Sequence, residues 1–235
     1  LFIGLLLGIL VATAISATLG STAFIEEKEM TLTYASASAR LILMTGLIVF
    51  VCFHIRNAFD TKEIDVILSR PISRTNLVVS YWLGFSFVGL LLTLPVIGII
   101  AFIGANNFAG FTGWAVSLVL EMGLVVALAL FSAFTMRSAV TAVLGCMGFY
   151  VLSRMMAFFV FTSNSGMFNE AKFIVLRWVL KAISTLLPRL DLFGKSEWLV
   201  YGFTAAQEWQ LYIAQAFIFI PLLLAATMID FRRKQ

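Results

Sequence analysis

Apolar residues run through this chain in long blocks separated by short polar stretches. A membrane-crossing helix needs about 20 mainly apolar residues. On that basis the pattern predicts six spans, over 1–20, 39–55, 79–104, 113–136, 140–162 and 209–229. Pro95 and Pro221 fall inside the third and sixth and are expected to kink them. One polar stretch stands out, 56–80, reading "RNAFDTKEIDVILSRPISRTNLVVS". It is rich in both acids and bases and longer than two adjoining spans need. The expected fold class is an all-α integral membrane domain occupying the whole of 1–235.

Composition supports this reading. The 235 residues are 61% hydrophobic and 12% charged, with mean hydropathy +1.02, whereas soluble domains carry about 25% charged residues. The net charge of +4 follows from the tendency of Lys and Arg to collect on the cytoplasmic side of spans, so no nucleic-acid partner is expected. Cys52 and Cys146 both fall inside spans and His54 is the one histidine. Neither a disulfide framework nor a metal site is expected from so few ligands. The first block lacks a basic leader and reads as a span rather than a signal peptide. Because the sequence opens at Leu1, a further N-terminal segment is expected ahead of it.

Orientation follows from the basic residues. With 56–80 in the cytoplasm, alternation places Arg56, Lys62, Arg70, Arg74, Arg137, Arg232, Arg233 and Lys234 inside, and both termini as well. The segment 164–208 then lies outside despite Lys172, Arg177, Lys181, Arg189 and Lys195. A seventh span over 169–187 would hold Arg177 and Lys181 near the bilayer centre at about 2.5–3.5 kcal/mol each, so six spans is the better count. Glu170, Arg177, Lys181 and Ser184 share one helical face there, with apolar residues covering the rest. That predicts an external amphipathic helix at the membrane interface, or a re-entrant cap or gate. Pro188 ends it, and "RLDLFGKSEWLVYG" reads as loop and turn.

In the first span Gly4, Gly8, Ala12, Ser16 and Gly20 recur every fourth residue. Small residues on one face let another helix approach closely in lipid, so this stripe predicts a helix–helix contact. Two ionisable residues lie well inside spans, Glu121 in the fourth and Arg154 in the fifth, at matching depths. An unpaired charge there is expensive, so the two are expected to pair within about 5 Å. A lock between two helices is favoured over a contact to substrate.

Within 56–80, residues 60–69 read as a short amphipathic helix. Its apolar face is Ile64, Ile67 and Leu68, and its charged face Asp60, Lys62, Glu63 and Asp65. Pro71 breaks it, and Ser73 is placed to cap the next helix, "RTNLVVSYWLG". The generic reading is a solvated connector, and the specific one is a docking element for a cytoplasmic partner. Here "DTKEIDVILSRPISRTNLVVSYWLG" resembles the cytoplasmic loop of ABC transporter permeases of the type-2 export family. "LVLEMGLVVALALFSAFTMRSAVTAVLGCMGFYVLSR" is similar to that family's fourth and fifth spans, and "LLPRLDLFGKSEWLVYG" to the approach to its last span. Where that family usually carries a Gly-Thr pair in this helix, the chain has Ile64 and Asp65, a departure that bears on the detail of partner contacts.

The resemblance implies a six-span, non-catalytic half-transporter in a bacterial inner membrane, surrounded by lipid. It would pair with a second permease, identical or related, and sit on cytoplasmic ABC ATPase subunits through a coupling loop over 56–78. The residues carried over to that contact are Asp60, Lys62, Glu63, Ile64, Asp65, Ile67, Leu68, Ser69, Arg70 and Arg74. The 235 residues contain no G-x-x-x-x-G-K-[ST] phosphate loop, so no cofactor is expected on this chain, and ATP and magnesium belong to the partner ATPase. Two functions are compatible with that architecture: export of a substrate, or transmission of ATPase motion to periplasmic proteins with no transported solute. Intramembrane hydrolysis fits poorly, since no G-x-S-x-G signature occurs and His54 lies near a span edge. An ion channel would leave 56–80 unexplained.

Overall fold

The computed structural model describes residues 2–20, 27–69, 73–104, 107–164, 178, 182, 187–202 and 207–233. In chain order the helices are α1 (Phe2–Gly20), α2 (Glu27–Asp60), α3 (Glu63–Leu68), α4 (Arg74–Ile103), α5 (Phe108–Thr135), α6 (Ala139–Arg154), α7 (Met156–Asn164), α8 (Glu197–Tyr201) and α9 (Gln207–Arg233). A 3₁₀ turn, Leu190–Leu192, precedes α8. Among the described residues there is no strand. Helices α1, α2, α4, α5 and α9 are each long and apolar enough to cross a membrane, so the chain is an all-helical, multi-pass membrane protein.

The apolar blocks become helices because lipid leaves backbone N–H and C=O groups no partner outside the chain. Their ends differ from the sequence expectation where polar residues continue a helix. The second span, expected over 39–55, is the middle of a 34-residue helix. The fifth, expected unbroken over 140–162, divides at Met155 into α6 and α7. Arg154, the last residue of α6, is held sideways by Glu121 and by the carbonyl of Leu190.

Side-chain neighbours fix the helix directions. Leu5 of α1 fills the notch at Gly46 of α2, Gly8 lies beside Ile42, and Gly20 abuts Thr31, which makes α1 and α2 an antiparallel hairpin. Only part of the small-residue stripe faces that contact. Ser16 and Gly20 are buried against α2, while Gly4 is exposed with nothing beside it. The buried line begins instead at Leu5 and Ile9, because Gly46 supplies the missing volume on the opposite helix. Helices α2 and α5 run parallel, with Arg40 beside Glu121 and the Cys52 thiol 3.7 Å from the Ala129 carbonyl. Helix α5 is the axis of the bundle, and residues 121–130 are buried without a break. Parallel to it, α9 places Ile220 beside Gly123 and Phe231 beside Phe134.

At one end, Phe59, Phe134 and Phe231 meet edge to face with centroids 5.1–6.3 Å apart, joining the ends of α2, α5 and α9. Arg74 lies over Phe231 and Arg56 over Phe59, so the start of α4 belongs to the same end. That end also carries α3 and the α5–α6 link with Arg137.

Candidate functional site

Three helices each present two polar residues four apart, the spacing that puts them on one helical face. On α2 they are Ser36 and Arg40, on α5 Ser117 and Glu121, and on α6 Tyr150 and Arg154. The three faces converge. Glu121 Oε2 takes Arg40 Nη1 at 2.6 Å, and Oε1 takes Arg154 Nη1 at 3.0 Å and the Tyr150 hydroxyl at 3.1 Å. Arg40 and Glu121 are 1% and 0% exposed, while the Arg154 side chain is 23% exposed. The Arg40 guanidinium also lies 5.3 Å from the centroid of the buried Trp114 ring.

Glu121 and Arg154 therefore lie within the expected pairing distance, but a second arginine shares the carboxylate. Arg40 is the residue that sequence reasoning missed. With the second span begun at 39, it stood at a membrane edge; α2 in fact begins at Glu27, which moves Arg40 thirteen residues inward, about 20 Å. Glu121 lies thirteen residues into α5, the same depth on a parallel helix. The polar run "TLTYASASAR" with its Ser36–Arg40 spacing was the available signal.

The cluster also receives non-helical backbone. Arg40 Nη1 and Ser117 Oγ both donate to the Phe193 carbonyl, the latter at 2.9 Å, and Arg154 Nη1 reaches the Leu190 carbonyl at 3.4 Å. Further along, Ser36 Oγ meets Ser196 Oγ at 2.9 Å, Trp198 backs onto Gly110, and Gly202 abuts Asn107. Residues 193–202 thus climb antiparallel along α5 from the level of Ser117 to that of Asn107, about 15 Å. Leu190, Phe193, Trp198 and Leu199 are buried. Expected as an external loop, this stretch packs into the bundle, its irregular backbone enclosed by protein. Gly110 and Gly194 make room for it: a Cβ at Gly110 would collide with the Trp198 carbonyl, and one at Gly194 with the Arg154 guanidinium. The external helix expected over 169–187 lies largely outside the described residues.

At the α3 end, the short helix expected from 60 opens at Glu63, because α2 continues to Asp60 and the chain turns at Thr61 and Lys62. Lys62 takes φ 58°, a left-handed conformation uncommon for a side-chain-bearing residue. Asp60 instead faces Arg56 at 3.5 Å, an i,i+4 pair between a largely buried arginine and an exposed carboxylate, worth about 0.3–0.5 kcal/mol. Ile64 is buried, Ile67 and Leu68 lie partly against the bundle, and Glu63, Val66 and Ser69 are exposed. Ser73 caps α4 by accepting from Asn76 N at 3.2 Å. Ser73→Ala should lower thermal stability by about 0.5–2 kcal/mol in a detergent melt. Ile67, Leu77, Ser80 and Tyr81 line a groove of ≈ 330 Å³ beside α3. Arg70 and the side chain of Asp65 lie outside the described residues.

His54 packs against the rings of Phe50 and Phe85, and among the described residues no group of three or more His, Cys, Asp or Glu could hold a metal ion. No family model and no curated protein matches the chain.

Proposed function

We propose that the chain is the permease subunit of an ATP-driven ABC exporter, with α3 as the element moved by a separate cytoplasmic ATPase. The observation that carries this reading is the mounting of α3. A tight turn joins it to α2, Ile64 anchors it, and Ser73 restarts the chain as α4 three residues after Arg70. A push on the exposed Glu63 and Val66 therefore passes through that turn into α2 and, through Ile64, into the bundle. The same end carries Arg56, Lys62, Arg74, Arg137, Arg232 and Arg233, which favours placing it in the cytoplasm of a bacterial inner membrane with both termini. In this reading α6 and α7 together form a sixth span, and a second permease completes the transporter. ATP and magnesium stay on the ATPase, and the chain itself is not an enzyme.

The alternative, transmission of motion to periplasmic proteins, draws support from the far end, where 187–202 fills the bundle between α2, α5 and α9. The docking step common to both is testable. Glu63→Lys with Asp65→Lys should abolish co-purification of an ATPase from native membranes, or uncouple its hydrolysis from the membrane complex. Normal association and normal coupled activity in that variant would refute the assignment. ATP-driven movement of a solute by the wild-type complex in sealed vesicles would then favour export over transmission.

A further inference from the structure

We infer that the Arg40–Glu121–Arg154 cluster is a binding site for the anionic group of an amphiphile, a phosphate being the chemistry that fits it best. Two guanidinium groups share one carboxylate, so among the described residues the cluster holds one uncompensated positive charge midway along α5. The carbonyls of Phe193 and Leu190 satisfy hydrogen bonds there but bring no formal charge. Asp191, next in sequence to Leu190, is already paired with Arg189 at 2.8 Å. An excess charge at membrane depth is costly and marks a functional position by default.

The excess is localised. Arg40 is enclosed by Glu121, Ser117, Phe193 and Trp114. Arg154 uses a single nitrogen, Nη1, for both of its bonds, and its side chain is the part of the cluster that remains accessible. Among the described residues, its Nε and Nη2 meet no acceptor, which leaves a planar donor edge of the kind that takes phosphate or carboxylate bidentately. On the enclosed Arg40 side of the cluster, Trp114 Nε1, which can only donate, is buried without an acceptor among the described residues. The site therefore offers donors and one net positive charge, walled by apolar helices. Lipid headgroup phosphate and free phosphate share that chemistry, while the apolar surroundings favour the amphiphile.

This inference does not depend on an ATPase docking at α3, so it is tested on the purified full chain alone, without nucleotide. Short-chain phosphatidic acid is titrated calorimetrically into the protein in phosphatidylcholine nanodiscs, with short-chain phosphatidylcholine and inorganic phosphate as parallel arms. One phosphatidic acid should bind per chain, and phosphatidylcholine should bind at least tenfold more weakly. Arg154→Gln should weaken binding about tenfold or more, and Arg154→Lys less. Glu121→Gln, which raises the net charge, should tighten it severalfold. Equal binding of the zwitterionic lipid, or unchanged affinity in Arg154→Gln with an intact melting transition, overturns the site. If Glu121→Gln does not yield folded protein, the Arg154 pair decides alone. Inorganic phosphate binding as tightly as phosphatidic acid would overturn the amphiphile and assign the site to a free anion.

Discussion

Glu121→Leu should lower stability by about 3–5 kcal/mol. The carboxylate is fully buried and receives two guanidinium groups and one hydroxyl. Its removal leaves Arg40 buried with no counter-charge and sets it against Arg154 through an interior that screens poorly. Leucine has similar volume, so the loss will not come from a cavity. The double variant Glu121→Leu with Arg40→Met separates charge from packing. If the damage is the stranded cation, the double variant should recover part of the loss in a detergent melt, since a buried ion pair replaced whole by apolar residues is often neutral. A double variant less stable than Glu121→Leu alone would show that Arg40 acts mainly through the Phe193 carbonyl. The effect should persist at high salt, because buried pairs are little screened.

How much of this was legible beforehand varies by element. The long apolar helices were, because 20-residue blocks in a chain so poor in charge have few other solutions. The nearness of Glu121 and Arg154 followed from the cost of single charges at equal depth. Arg40 did not, since the hydropathy of "TLTYASASAR" hides a helix start that is set by tertiary contact with α1 and 193–202. The Ser73 cap was legible from Pro71 and the restart of apolar periodicity. The start of α3 was not, because a left-handed Lys62 is chosen by how α2 and α3 pack, and residue type gives no warning of it. The path of 187–202 into the bundle was hidden for a similar reason. Its polar letters suggest solvent, yet its carbonyls are satisfied by side chains of Arg40, Ser117 and Arg154, which lie far away in sequence.

That path leads to the second large effect. Trp198→Ala should cost about 3–5 kcal/mol, the usual range for truncating a buried Trp. Trp198 is 2% exposed and packs 5.6 Å from the Tyr212 ring, which in turn lies 5.5 Å from Phe193. This aromatic column fastens 193–202 between α5 and α9, so its loss should release the segment before the rest of the bundle. Ser36 reports on that release, being buried against Ser196. In a Ser36→Cys background a water-soluble maleimide should label slowly, with Cys52 and Cys146 both buried. Adding Trp198→Ala should speed labelling by an order of magnitude or more below the melting temperature. Gly110→Ala should act in the same direction by a different route, because its methyl group meets the Trp198 carbonyl itself, backbone that cannot rotate aside. If both substitutions lower the melting temperature but labelling at position 36 rises only with global unfolding, the segment is an integral part of the bundle. In that case 187–202 cannot serve as a gate, and any amphiphile must reach Arg154 from the lipid side.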